Sequence, residues 1–217
     1  MPPVLHAIVA LGPTHEPLDE VRFIGNRSSG RMGVEIARAL IEAGCRVTTL
    51  AGPCRPDGLG SLPEVVRFRT AEDLRTLLTT RWPETDLLVM AAAVADWRPK
   101  VVAAGKMRRS SAAPTVELEA VPEILGALAS GPRQFVVGFA LEPADELLDS
   151  ARAKLARKRA DCIVGNPLAT MDAPVVDGSL VWSDGRVESP GPRLPKDAFA
   201  RWLTGRILPA ARQRAGR

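Results

Sequence analysis

Short, continuous apolar segments alternate along this chain with stretches of helical periodicity. Strands are predicted at residues 5–11, 46–50, 65–69, 86–93, 134–140 and 161–165, and helices at 32–43, 71–81, 146–159 and 196–207. Apolar strands without alternation are typical of a parallel sheet that is buried on both faces, with helices as the crossovers. The pattern therefore predicts an α/β, Rossmann-like, doubly wound fold, in which a mostly parallel sheet has helices on both faces.

The C-terminal part of the chain departs from this pattern. The turn signals Asp177-Gly178 and Asp184-Gly185 flank residues 179–182, which predicts a small β-hairpin near the C-terminus. No linker or internal repeat divides the chain, so residues 1–210 are expected to form one domain. Residues 211–217 are expected to form a basic, disordered tail.

Composition narrows the class of protein. The chain has 217 residues, of which 46% are hydrophobic and 25% are charged, and its formal net charge is +4. No apolar run is long enough for a membrane span and no signal-peptide pattern is present, so we expect a cytoplasmic protein without a membrane partner. The scattered Cys45, Cys54 and Cys162 suggest neither a zinc site nor a disulfide framework. Basic charge with few aromatic residues favours phosphorylated small molecules over nucleic acid.

In a doubly wound sheet, ligands bind beyond the carboxyl ends of the strands. The candidate segments are therefore 12–14, 91–96, 139–142 and 165–167, together with the loop Gly-Asn-Arg-Ser-Ser-Gly-Arg-Met-Gly at 25–33. This loop leads into a helix, whose free N–H groups attract anions. Ser28 and Ser29 can cap that helix, and Gly30 and Gly33 allow close approach. The loop is equally consistent with a capped helix that follows an ordinary turn.

An ordered set of further motifs makes the sequence resemble the phosphopantothenate–cysteine ligase family over nearly its whole length. The motifs are Ala10 to Asp19, Val21 to Gly33, Ala91 to Asp96, Lys106 to Arg109, Val121 to Ile124, Val137 to Glu142 and Lys154 to Lys158. The resemblance implies condensation of 4′-phosphopantothenate with cysteine in coenzyme A biosynthesis. A nucleoside triphosphate with Mg²⁺, commonly CTP in bacterial members and ATP in eukaryotic relatives, first forms an acyl-nucleotidyl intermediate. The cysteine amine then displaces the nucleoside monophosphate.

The resemblance also implies roles for individual residues. Asn26 and Lys106 are expected to be catalytic. The substrate-binding residues are expected to be Arg22, Asn26, Ser28, Ser29, Gly30, Ala92 and Ala93. The nucleotide-binding residues are expected to be Ala91, Ala92, Asp96, Lys106, Pro122, Glu123, Ile124, Leu125, Phe139, Lys154 and Lys158. No metal ligand is assigned, because Mg²⁺ is expected to be held by the nucleotide phosphates. Family members are commonly homodimers, and the hairpin at 179–187 is the candidate contact. The chain begins almost at the ligase motif, so the flavin-dependent decarboxylase half is expected to be absent and no flavin is expected.

Without the family resemblance, several of these residues fit ordinary structural roles. Asn26 could be a turn asparagine, Asp96 a helix N-cap, Phe139 a core residue, and Lys154 and Lys158 a solvated helix face. The sequence also departs from the family pattern at Pro13, at Lys106 to Arg109, at Glu123 and at residues 165–167, which leaves the choice between CTP and ATP open. Two other functions stay open: a non-catalytic binder of phosphorylated metabolites or nucleotides, and a nucleotide-cofactor oxidoreductase. The oxidoreductase fits less well, because the sequence has no GxGxxG motif after the first strand.

Overall fold

The computed structural model describes residues 4–109, 115–128, 131, 133–171 and 173–216. In chain order its elements are β1 (His6–Pro13), β2 (His15–Pro17), β3 (Phe23–Gly25), α1 (Arg31–Glu42), β4 (Arg46–Ala51), β5 (Val65–Arg67), α2 (Ala71–Arg81), β6 (Leu87–Ala93), β7 (Trp97–Pro99), β8 (Leu118–Ala120), α3 (Ile124–Ala127), β9 (Phe135–Glu142), α4 (Leu147–Lys158), β10 (Cys162–Pro167), β11 (Val175–Val176), β12 (Ser179–Trp182), β13 (Val187–Glu188), β14 (Leu194–Pro195) and α5 (Lys196–Ala215).

Within the described residues, eight strands form one sheet in the order β13-β12-β10-β9-β6-β1-β4-β5. The strands from β10 to β5 are parallel, and the hairpin β12–β13 adds two antiparallel strands at one edge. One hydrophobic cluster joins α1 and α5 to one face of the sheet. A second cluster joins α2, α3 and α4 to the other face. The predicted doubly wound fold and the C-terminal hairpin are confirmed.

The strand order reverses beside β1. β4 lies on one side of β1 and β6 lies on the other. The chain thus builds the sheet outward from β1 first in one direction, through β4 and β5, and then in the other, from β6 onward. In open α/β sheets, such a reversal opens a crevice at the carboxyl ends of the strands. The loop between β3 and α1 lies at this crevice, which is where a ligand site is expected.

Two small hairpins next to the crevice are not predicted by the sequence pattern. β2 pairs with β3, and β7 pairs with β8, each through three residue pairs. These strands are too short to show a two-residue periodicity, and both pairs include a proline. The β2–β3 pair is also held by the side chains, because the rings of His15 and Phe23 stack with their centroids 3.5 Å apart.

The last helix is longer than predicted. The sequence pattern ends it near Ile207, with a disordered tail from residue 211, yet α5 continues through Pro209 to Ala215. Ala211 is fully buried. Arg212 donates to the carbonyl of Ala43, and Arg214 forms an ion pair with Asp161. Tertiary contacts thus hold a basic segment that looks solvated in sequence, and the prediction of a disordered tail is wrong for residues 211–215. Arg217 lies outside the described residues.

The start of α1 also differs from the prediction. Its N-cap is Gly30, in the left-handed region at φ 74°, and no side chain in the described part of the chain caps it. Ser28 and Ser29 therefore do not cap α1. Gly33 brings the helix close to β1, since a Cβ there would lie 2.4 Å from the Cβ of Leu11. The first turn of α1 is thus packed tightly against the sheet and its N–H groups are not covered by a side-chain cap.

Candidate active site

A cleft of about 610 Å³ lies at the carboxyl ends of β6, β9 and β10. One wall is the loop from Gly25 to Gly33 with the first turn of α1. The segment before α3 and the side of α4 also line the cleft. Two of the segments expected at strand ends, 91–96 and 139–141, line the cleft, and so does Asn166 from a third. Residues 12–14, from the fourth, are not among the described lining residues.

Nearly all of the predicted site residues meet in this cleft. Those that line it are Asn26, Ser28, Ser29, Gly30, Ala91, Ala92, Ala93, Asp96, Pro122, Glu123, Ile124, Leu125, Phe139, Lys154 and Lys158. Arg22 and Lys106 do not line it among the described residues. The cleft therefore brings together residues from five separate stretches of sequence, but the position of a residue in it does not by itself assign a role.

The side chain of Asn26 connects two of the segments that line the cleft. Its Nδ2 donates to the carbonyl oxygen of Val94, 2.8 Å away. A turn asparagine that caps its own loop would not make this contact, which is 68 positions distant in sequence. A carboxamide has two N–H donors and one carbonyl acceptor, so one N–H fixes the side chain and the group retains further hydrogen-bonding capacity.

The segment after β6 is also held from below by Thr14, which is fully buried. The Thr14 amide donates to the carbonyl of Ala93 at 3.2 Å, and its Oγ1 accepts from the amide of Ala95 at 3.0 Å. Asp96 follows directly and precedes β7, not a helix, so it is not an N-cap. Small side chains at Ala91 to Ala93 leave this part of the cleft floor open to a ligand.

The two lysines of α4 lie on one helix face and line the cleft. Each side chain is 21% exposed. The Lys154 ammonium bonds to Glu142 at 2.5 Å, and Lys158 lies 3.7 Å from a carboxylate oxygen of Glu123. These contacts and this burial exclude a freely solvated stripe.

Electrostatics differ between the two lysines. Burial lowers the pKa of Lys158, against the nearby carboxylate of Glu123, which raises it. The hydrogen bond from Lys154 holds the pKa of Glu142 below its ordinary value. Of the described lining residues, the cations are Arg27, Arg31, Lys154, Arg157, Lys158 and Lys196, and the carboxylates are Asp96 and Glu123. The cleft therefore carries an excess of positive charge, which suits a polyanionic ligand.

The segment from Pro122 to Leu125 has two kinds of residue. Ile124 and Leu125 are buried in the core, whereas Pro122 is exposed at the cleft. Phe139 packs against the hydrophobic cluster of α1 and α5 and also lines the cleft. Phe139 therefore contacts the hydrophobic core and the cleft at once, so it fits both roles that the sequence leaves open.

Arg22 and Lys106 are the two predicted residues that the structure places elsewhere. Arg22 pairs with Asp19 at 3.1 Å and donates to the carbonyl of Met107 at 3.2 Å. Lys106 is exposed. The two residues belong to neighbouring segments beside the cleft, one between β2 and β3 and the other after β7.

Asn166 lies in the predicted segment 165–167, but no role is predicted for this residue from the sequence. It lies near the end of β10 and lines the cleft. Its Oδ1 is buried and has no hydrogen-bond partner among the described residues. A buried acceptor of this kind is expensive unless a ligand or water donates to it. Its position at a strand end is the available signal, but only the closed environment makes it stand out. Further lining residues that the sequence does not single out are Met90, Thr170, Met171 and Val176.

No cluster of three or more His, Cys, Asp or Glu side chains that could hold a metal occurs in the described part of the chain. Asp96 and Glu123 are the carboxylates of the cleft, and Mg²⁺ is usually held by one or two carboxylates together with substrate phosphates. These residues fit an Mg²⁺ ion that arrives with a polyphosphate. Among the described residues, no helix has the length and hydropathy to cross a membrane.

The doubly wound sheet, the crevice at its switch point and the cationic cleft are typical of α/β domains that bind nucleotides or phosphorylated metabolites. The chain belongs to the family of the DNA/pantothenate metabolism flavoprotein C-terminal domain, whose model matches residues 4–210.

Known relatives agree with this assignment. The chain is 41% identical over 197 residues to the coenzyme A biosynthesis bifunctional protein CoaBC of Mycolicibacterium smegmatis, covering 82% of this chain and 47% of that protein. The chain thus spans about half the length of the curated CoaBC relatives it matches. The solved C-terminal domain of a CoaBC is 30% identical, with a TM-score of 0.78 and 96% of each chain covered. A Cab2 mutant in complex with phosphopantothenate-cysteine has a TM-score of 0.80 at 18% identity, covering 98% of this chain and 88% of that chain, and shares the fold.

Proposed function

We propose that this chain is a phosphopantothenate–cysteine ligase, which forms phosphopantothenoylcysteine in coenzyme A biosynthesis. One observation carries the proposal. The Asn26 loop and the half-buried lysines of α4 line one cleft, together with nearly all of the other residues that the resemblance implies. The relatives named CoaBC and the structural neighbour that holds phosphopantothenate-cysteine support the same reaction.

The reaction brings a carboxylate and a triphosphate together, so the site must offset several negative charges at short range. Lys154, Lys158 and the first turn of α1 supply positive charge and N–H donors to the same cleft. Lys106 is proposed as a further phosphate ligand. Mg²⁺ would be held by the phosphates with Asp96 or Glu123, and would offset charge on the phosphate oxygens.

We propose two half-reactions. The pantothenate carboxylate oxygen attacks the α-phosphorus, the bond to the bridging oxygen breaks, and pyrophosphate leaves. The free cysteine amine then attacks the acyl carbon, the bond to the phosphate oxygen breaks, and the nucleoside monophosphate leaves with the formation of the amide. No protein nucleophile is needed. Asn26, fixed by Val94, is proposed to donate to the acyl oxygen as negative charge develops there, with Arg22 and the segments Ser28 to Gly30 and Ala92 to Ala93 contacting the phosphopantothenate.

The nucleotide is proposed to be CTP, with ATP as the alternative. The backbone from Pro122 to Leu125 together with Phe139 would contact the base, and Ala91 and Ala92 would pass beneath the nucleotide. Glu123 approaches Arg157 and Lys158. A carboxylate that already pairs with cations is poorly placed to select a base, so selection is assigned to the backbone of this segment.

The assembly is proposed to be a homodimer. Among the described residues from β2 to β8, seven large apolar side chains are exposed on or next to the two small hairpins: Val21, Phe23, Trp97, Val101, Val102, Val116 and Leu118. In contrast, Leu180 and Val181 of the hairpin expected as the contact are buried in the main sheet. Light scattering coupled to size-exclusion chromatography gives the mass, and a monomer at assay concentration would contradict this part of the proposal.

The ligase is tested by an end-point assay. The purified chain is incubated with 4′-phosphopantothenate, cysteine and Mg²⁺, separately with CTP and with ATP. Mass spectrometry follows phosphopantothenoylcysteine and the nucleoside monophosphate, and a reaction without cysteine is assayed for the acyl-nucleotide and pyrophosphate. Product with one nucleotide supports the ligase and settles the nucleotide. Ligand binding without product would instead support a non-catalytic binder.

A pair of lysine variants localises the activity. Lys154→Ala removes a cleft cation, whereas Lys100→Ala removes an exposed cation that pairs with Glu117 on the β7–β8 hairpin. Loss of nucleotide binding in the first variant and retention in the second supports the cleft as the site. Equal behaviour of the two variants would contradict it.

A further inference from the structure

Arg22 and Lys106 lie on two segments that are joined to each other outside the cleft. One segment, residues 18–22, connects β2 to β3, and the other, residues 103–107, follows β7. The amide of Ala103 donates to the carbonyl of Leu18 at 3.0 Å. The guanidinium of Arg22 donates to the carbonyl of Met107 at 3.2 Å. The two residues are thus 84 positions apart in sequence but belong to one hydrogen-bonded patch.

The carboxylate of Asp19 lies at the centre of this patch. Its side chain is fully buried. Oδ1 accepts from the amides of Val21 and Arg22 at 2.7 and 2.6 Å. Oδ2 accepts from the Arg22 guanidinium and from the Met107 amide, both at 3.1 Å. Each oxygen therefore has two donors, and Oδ2 connects the two segments directly.

Only a carboxylate satisfies this set of donors. All four groups donate, and an ionised carboxyl group has about four acceptor positions and no donor. An amide of the same shape would direct its NH₂ group at two of these donors. Burial raises the pKa of Asp19, but the backbone N–H bonds from Arg22, Val21 and Met107 outweigh burial and lower it. The group is therefore ionised at neutral pH, and its charge offsets that of Arg22.

We propose that Asp19 is a positioning residue that fixes Arg22 and Lys106 as one unit for binding the phosphate groups of the substrates. Lys106 immediately precedes Met107, whose amide donates a hydrogen bond to Asp19. A displacement of either segment therefore displaces both Arg22 and Lys106. This inference rests on the proposed function for the identity of the ligands. The joint positioning itself is a property of the fold and is tested separately.

The first test reads the coupling without any substrate. In the unmodified protein, the amides of Val21, Arg22 and Met107 should exchange with deuterium through a common opening, as followed by NMR. Asp19→Asn should speed exchange in residues 18–25 and 101–109 together, by on the order of tenfold. It should also speed tryptic cleavage after Lys106, Arg108 or Arg109. Exchange that changes in only one of the two segments, or in neither, would overturn the proposal.

A matched control separates this effect from a loss of general stability. Asp86 is a buried carboxylate that accepts from the amide of His6 and from Arg133, at the end of β6 opposite the cleft. Asp86→Asn should lower overall stability. It should change amide exchange in residues 101–109 by no more than it changes exchange in the rest of the molecule. If Asp86→Asn accelerates the two segments as selectively as Asp19→Asn does, Asp19 has no special positioning role.

The second test uses activity in a double-mutant cycle. Asp19→Asn should lower kcat/KM by about tenfold or more when Lys106 is present, and much less when Lys106 is alanine. Separate titrations of phosphopantothenate and of nucleotide show which phosphate group depends on the patch. Fully additive effects would overturn the proposal. If the chain has no ligase activity, the exchange experiment still decides the coupling, so failure of the two proposals can be told apart.

Discussion

The Nδ2 of Asn26 lies 2.8 Å from the carbonyl oxygen of Val94, and this hydrogen bond joins the two sides of the crevice where the strand order reverses. The contact fixes the asparagine in the loop before α1 against the segment that follows β6. Thr14 holds that same segment from beneath through Ala93 and Ala95. The side chain that we propose to contact the acyl group is therefore held by rigid elements, not by its own loop alone.

We expect Asn26→Ala to lower kcat by about 100- to 1000-fold, because loss of one positioned donor to a developing oxyanion has this effect. The fold should be retained, since Asn26 is exposed at the cleft. Steady-state kinetics and circular dichroism measure the two properties. Ser61→Ala, which removes an exposed hydroxyl bonded to the carbonyl of Gly58, serves as the control. Near-normal turnover in Asn26→Ala would contradict the assignment.

Lys158 should make nucleotide binding sensitive to alkaline pH. Burial lowers its pKa, so it loses its charge at a lower pH than an exposed lysine, for which the value is about 10.4. Affinity should therefore fall as the pH rises through the lowered pKa. Lys158→Arg, which keeps its charge, should move that fall to higher pH, whereas Lys100→Arg should leave it in place. Calorimetric titration of the nucleotide at a series of pH values measures the shift, and an unchanged profile in Lys158→Arg would rule out this group.

The parallel sheet is predictable because its strands are buried on both faces, which makes each one a continuous apolar run, as in β6. The site segments are predictable because a doubly wound sheet collects its strand ends. Contacts between residues far apart in sequence are not predictable in this way. Nothing in the local sequence indicates that Arg214 pairs with Asp161, or that the acceptor for Asn26 is the carbonyl of Val94.

The α1 cap shows a second limit of the sequence pattern. Serine before a helix predicts a side-chain cap, but here a glycine with positive φ immediately precedes the helix, which leaves no side chain at the N-cap position. The same geometry leaves the first turn open to the cleft. The local rule therefore fails at the part of the chain where we propose that a ligand binds.

Asn166 should be more important for binding than for stability. Its Oδ1 is buried without a partner in the described part of the chain, so Asn166→Leu removes an uncompensated acceptor. We expect the free energy of unfolding to stay the same or to rise, while the KM for nucleotide or phosphopantothenate rises by about tenfold. Thermal unfolding and steady-state kinetics provide the two numbers. A marked loss of stability with unchanged KM would assign Asn166 to the core instead.

Glu142 should contribute stability that depends on pH. The hydrogen bond from Lys154 lowers its pKa in the folded state. A lowered carboxyl pKa stabilises the fold above the unfolded value of about 4.3, and this contribution is lost as the pH falls through the folded pKa. Glu142→Gln should therefore cost about 1.5 kcal/mol at pH 7 and much less at pH 3. Denaturant unfolding at both pH values tests this. Glu72→Gln, which breaks an exposed pair with Arg75, should show a smaller difference.

A pair of glycine substitutions tests how closely α1 is packed against the sheet. A Cβ at Gly33 would lie 2.4 Å from the Cβ of Leu11, so Gly33→Ala forces the helix and β1 apart and should cost about 1–3 kcal/mol. A Cβ at Gly205, which is exposed within α5, meets no described atom within 4 Å. Gly205→Ala should therefore stabilise the protein by up to about 1 kcal/mol, through helix propensity alone. Denaturant unfolding of both variants measures whether each substitution lowers or raises the free energy of unfolding. If Gly33→Ala were as stable as the unmodified protein, the contact that places the first turn of α1 against β1 would not be close-packed.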